Sequence, residues 1–249
     1  MKNKKIVLAL SLVLALGATL MVGGSLAWFS DTDEATNTFT VGSVEIEQVE
    51  DFVQNSELIP VGSNDTPNDD ENFINKEVSV KNTGKNPAYV QTFVAVPAVL
   101  DLSSGPLRLH AVSTDWTALG RVASNVAITF DNDGTDLTQN FNVYAYRYNA
   151  ALAAGNETSD ALSGVYIDEK TDIQVNRNAS DSNVIDSAYL MWDTNDDGVK
   201  EVLNGFNLVE SNNMKLHVLV ATQAVQSQGF ASASEALNAA FPNHPWKNN

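Results

Sequence analysis

Residues 73–100 read FINKEVSVKNTGKNPAYVQTFVAVPAVL. Val78 and Val80 alternate with Glu77, Ser79 and Lys81, the period of two that turns one face of a strand toward a core and the other toward water. Asn82 to Pro87 supply turn chemistry, with Gly84 able to take a positive φ and Pro87 standing where a missing N–H is tolerated. Tyr89 to Val96 is a nearly continuous apolar run of strand length. Strand, turn and strand predict a hairpin, and with it an all-β chain.

The same pattern extends in both directions. Phe39, Val41, Val44 and Ile46 alternate with polar residues, and Gly42 breaks the register once, which predicts a half-buried strand with a bulge or kink. Residues 51–72 are acidic and rich in Asn and Pro, and read as a long loop. Further strands are expected over 125–130, 141–148, 164–168, 184–192 and 214–222, with turn clusters at 131–134 and 195–198. Tyr144, Tyr146 and Tyr148 share a strand face opposite Phe141, Val143 and Ala145; core packing with hydroxyls at the rim is preferred over a carbohydrate platform. One short helix is expected near the end. Ser232 and Glu235 form a capping box, Ala236, Leu237, Ala240 and Phe241 share a face, and Pro242 stops it.

The first residues carry an address. Lys2, Lys4 and Lys5 form a basic tip, Ile6 to Leu16 an apolar core, and Gly23 to Ala27 a small-residue exit. That is the order of a secretory signal peptide, 1–27, cleaved between Ala27 and Trp28; an uncleaved anchor over 6–29 is the alternative. Cleavage leaves 222 residues with 11 basic and 31 acidic side chains, a net charge of −20. Such a surface repels nucleic acid and anionic membranes, so the membrane is met only through an uncleaved leader. Cysteine is absent, which excludes a disulfide framework and leaves one hydrophobic core over 28–249 as the source of stability.

Few residues suggest chemistry. Asp193, Asn195 and Asp197, followed by Gly198, have the spacing of a calcium-binding turn, with Glu201 nearby and Asn204 where an EF-hand would place its bidentate Glu. An Asx-rich hairpin turn is the alternative. His110, His217 and His244 are far apart and none lies in His-Glu-x-x-His. No Cys nucleophile and no Gly-x-Ser-x-Gly elbow exists, so no catalytic residue and no required cofactor are assigned.

Three motifs carry a resemblance. Gly23 to Asp31 followed by Thr38 to Val44, then Lys76-x-Val78-x-Val80-x-Asn82-Thr83-Gly84, then Leu152-x-x-Gly155-x-x-Thr158, resemble the TasA/camelysin family of exported Gram-positive proteins. The resemblance implies a jelly-roll-like antiparallel β-sandwich, with a short C-terminal helix and long loops, and processing by a dedicated signal peptidase. It further implies a secreted biofilm-matrix or cell-surface fibre, a head-to-tail homopolymer in which one subunit's N-terminal segment completes the next subunit's sheet. Residues 28–38 would then be a flexible donor segment tipped by Trp28 and Phe29, which a lone soluble domain has no reason to expose. Alternatively, both aromatics pack back on their own domain or serve only the peptidase. The competing functions are a camelysin-like surface metallopeptidase and a monomeric protein binding calcium or polysaccharide.

Overall fold

The computed structural model describes residues 30–33, 44–52, 60–61, 74–101, 105–110, 113–132, 134–168, 170–207 and 217–247. In chain order its strands are β1 (Ser30–Asp33), β2 (Ile46–Phe52), β3 (Pro60–Val61), β4 (Ile74–Asn82), β5 (Ala88–Pro97), β6 (Leu107–His110) and β7 (Trp116–Asn132). They continue as β8 (Thr135–Tyr148), β9 (Leu162–Asp168), β10 (Thr171–Arg177), β11 (Ile185–Trp192), β12 (Glu201–Asn207) and β13 (Leu219–Gln226). A helix, α1 (Ala233–Ala240), follows. The fold is all-β and mostly antiparallel, in a sandwich-like arrangement.

The sheets run β1-β13-β5-β8-β7, β2-β4-β9-β3 with β6 also on β9, and β10-β11-β12. Their inner faces meet in one core that includes Val78, Val80, Val90, Val94, Leu162 and Leu190. The opposite face of the first sheet buries Phe93, Phe141 and Val143 under Phe130, Leu219 and Trp246. Helix α1 docks Ala236 and Leu237 against Val225 on that sheet. Its Ser232 cap accepts the N–H of Glu235, while the Glu235 carboxylate reaches back to the N–H of Ala231. With both faces covered, β5 is buried nearly end to end and β8 is largely buried over Phe141 to Tyr146, which is why Tyr89 to Val96 carries so little polar alternation. Tyr146 lies in the main core, and Tyr144 and Tyr148 pack against it.

The expected hairpin over 73–100 does not form. Strands β4 and β5 lie in different sheets, and the turn between them carries the chain across the sandwich. The turn also avoids a positive φ at Gly84. It is closed by Asn82, a fully buried side chain whose Nδ2 donates to the carbonyls of Asn86 and Leu152, each at 2.9 Å. Its Oδ1 accepts the N–H of Gly84 at 3.0 Å. The apolar side chains of β4 and β5 face each other across the core instead of sharing one sheet face, a geometry that a periodicity of two permits equally well.

Other boundaries moved. The strand expected over 39–46 is β2, which begins at Ile46 and runs into the span read as a loop; residues 39–43 lie outside the described residues. The strand expected over 214–222 is β13, four to five residues later. Asp101, in the β5–β6 connection, is buried and accepts from the Tyr144 hydroxyl at 2.5 Å and from Arg121, which ties that connection to β7 and β8. Burial, then the Asp101 hydrogen bond and charge, push the Tyr144 hydroxyl up to about 12.

Replacing Asn82 by Ala removes three side-chain hydrogen bonds, although the Leu152 carbonyl and the Gly84 N–H keep Ala88 and Glu45 as backbone partners, and should lower the unfolding free energy by about 2 kcal/mol in urea titrations. Asn86→Ala keeps the carbonyl that Asn82 uses and should change it by less than about 0.5 kcal/mol.

Candidate functional site: a filled sheet edge and an acidic loop

Strand β13 has Ala224 in the main core and Val225 under α1, so both of its faces are covered. Its inner edge pairs with β5 over eight consecutive residues, Leu219 to Gln226. The outer edge is taken by β1, antiparallel, with Ser30 opposite Val225 and Asp33 opposite Thr222. Thr222 also accepts a place in the buried network: its hydroxyl lies 3.0 Å from that of Thr92 and 2.8 Å from Oε1 of Gln48 on β2. A four-residue N-terminal strand thus covers the hydrogen-bonding edge of a strand that is otherwise part of the core. Ala27, Trp28 and Phe29, assigned to cleavage and assembly, lie outside the described residues, and so does 34–38 of the expected donor segment.

The acidic loop follows β11. Asp193 is buried, and its Oδ1 and Oδ2 accept the N–H groups of Asp197 at 3.1 Å and Gly198 at 2.8 Å. Positive φ at Asp196 and Gly198 lets the backbone curl around that carboxylate. Burial acts to raise the Asp193 pKa, but the N–H groups of Gly198, Asp197 and Asp196, together with Lys170, outweigh it and hold the group below the usual carboxylate range. Glu201 accepts from the Thr194 N–H at 3.2 Å and from Asn195 Nδ2 at 3.3 Å. Asp197 turns to the N–H of Val199. The structure therefore brings Asn195 to Glu201 and folds the loop on Asp193, while the four side chains do not converge on one point.

Each histidine has its own neighbours. His110 Nδ1 lies 2.8 Å from Ser163 Oγ, which itself donates to the His110 carbonyl. The ring of His217 packs on Phe130, with centroids 4.8 Å apart. His244 is lowered by burial and by Lys247, and its Nδ1 is buried without a hydrogen-bond partner. Among the described residues, no group of three or more His, Asp or Glu side chains is arranged to hold a metal ion.

The second and third sequence motifs meet. Thr158 Oγ1 accepts the N–H of Val80, and the Asn82 N–H and carbonyl pair with Asn156 and Gly155, so the 152–158 segment runs along β4. Residues 2–88 match the family model described as camelysin metallo-endopeptidase. Over that span the chain is similar to the camelysin family. The matched span takes in β1 to β4 and the first residue of β5, and so includes both the edge-filling strand and the Asn82 turn. No curated protein and no solved structure matches the chain. Among the described residues no helix is long and apolar enough to cross a membrane.

Sequence reasoning did not find β3, β6, β10, β12 or the edge pairing of β1. The alternation of Ile173 and Val175 was a signal for β10, but a two-residue one. Because the Asp193 carboxylate is stabilised in its charged form, its contribution to stability is complete above the ordinary Asp pKa and is lost as pH falls through the depressed one. Asp193→Ala should therefore flatten the acid limb of the unfolding midpoint against pH. Repeating the measurement with calcium and with chelator tests a cation at Asp193, Asn195, Asp197 and Glu201, since a native-state ligand raises the midpoint.

Proposed function

We propose that this protein is a secreted structural subunit of a biofilm-matrix or cell-surface fibre, without catalysis, which assembles head to tail by N-terminal strand donation. The observation that carries the reading is the pairing of β1 on β13: the edge accepts an extended N-terminal segment through main-chain hydrogen bonds, and the segment is only four residues long. A neighbour's residues 28–36 could take the same register after displacing the chain's own strand, since an identical segment makes identical bonds. Such a contact does not close on itself and propagates as a filament. Cleavage after Ala27 would put Trp28 and Phe29 at the free end of this segment, so release from the leader would gate assembly. The signal peptidase would be the only partner needed before the fibre itself.

The family's printed description names a metallo-endopeptidase, which is the competing reading. The separated surroundings of His110, His217 and His244 favour the structural one. Deletion of Trp28 to Thr36 should abolish filaments in negative-stain images while circular dichroism stays unchanged. Filaments that survive the deletion would refute strand donation. Casein turnover that chelator abolishes, and that is lost on changing His110 or His217, would overturn the non-catalytic assignment.

A further inference from the structure

We infer that the outer edge of β10 is a second self-association site, at which two copies of this chain pair their β10 strands antiparallel about a two-fold axis. An unpaired strand edge is a template for another strand unless something blunts it. Three of the other edges are blunted or covered. Strand β7 has register shifts at 118/120, 121/123 and 123/126, and positive φ at Gly120 and Asn125. Strand β2 lines its edge with Glu47, Glu50 and Asp51, and β13 is covered by β1. Among the described residues nothing pairs the outer side of β10, and its register with β11 is unbroken from Thr171 to Asn176.

The strand suits a second copy in three respects. Ile173 and Val175 stand opposite Leu190 and Ala188, which are core residues, yet they overhang the core and remain 43% and 38% exposed. The strand is also locally neutral, with Asp172 and Arg177 its only charges in a chain of net charge −17, so two copies can approach here without the repulsion they meet elsewhere. Finally, the pattern is self-complementary. Pairing centred on Gln174 keeps both copies' faces in phase and sets each Ile173 opposite Val175 of the second copy, joining four apolar side chains into one patch. The N–H of Ile173 is held meanwhile by the Asp172 carboxylate at 2.8 Å, the local acceptor an edge N–H takes when no strand supplies one.

This contact is isologous and closes as a dimer, so it differs in kind from head-to-tail strand donation and does not rest on it. Where both operate, it would join filaments side by side.

The absence of cysteine makes the register directly readable. With the N–H of Ile173 turned outward, the two Gln174 residues form the close, non-hydrogen-bonded pair, with Cα atoms about 4.5 Å apart, within disulfide reach. The two Asn176 residues would lie about 14 Å apart, beyond it. In the full chain under mild oxidant, Gln174→Cys should form a disulfide dimer at least about tenfold faster than Asn176→Cys or the exposed control Val122→Cys. Adding Ile173→Lys and Val175→Lys to Gln174→Cys should remove that advantage with unchanged circular dichroism. In the chain lacking Trp28 to Thr36, the Gln174→Cys dimer should persist whether or not filaments form. Cross-linking of Gln174→Cys no faster than both controls, or its loss with the N-terminal deletion, would overturn the proposal.

Discussion

Asn82 is where the two halves of this protein are fastened together. The chain must leave one sheet at the end of β4 and enter another at the start of β5, through a turn whose Thr83, Lys85 and Pro87 are exposed while the Asn82 side chain beneath it is buried. That one amide bonds three backbone groups around the corner, two carbonyls and an N–H. Its own backbone then pairs with Gly155 and Asn156, which draws the 152–158 segment onto β4. Once that corner is set, β4 and β5 present Val78, Val80, Val90 and Val94 to one another, and the remaining sheets close around them.

The same architecture sorts the strand edges. A sandwich that is not a closed barrel must end its sheets somewhere, and each end here is treated differently. Irregular register breaks up β7, carboxylates line β2, and a short strand from the N-terminus covers β13. That last device links fold to assembly, because a cover made of a terminal segment is one that another copy can supply. The acidic loop after β11 belongs to a different economy. Its charge is spent inward, on the backbone of its own turn, through Asp193.

Much of this was legible beforehand, and the failures have a common cause. Strands β9 and β11 and helix α1 follow from alternation, a capping box and a stop at Pro242. The turn at Asn82 to Pro87 was placed correctly and then misread as a hairpin, because alternation reports which side chains are buried and is silent on whether two strands share hydrogen bonds or face each other. Strand β10 was missed because it buries only Thr171, and a strand that leaves the core has almost no apolar signal to give. For the acidic loop, spacing brought Asn195 to Glu201 but did not say where the carboxylate of Asp193 would point.

By itself the sequence determined an acidic, cysteine-free, all-β chain with its apolar residues at a period of two and an N-terminal third similar to the camelysin family. Those are local properties, set by the chemistry of each residue and its near neighbours. Which strands pair, that β1 lies on β13 nearly two hundred residues later, and which edge stays open were decided only by tertiary structure. Pairing between distant strands depends on main-chain groups that every residue carries alike, so no side-chain pattern can name the partner.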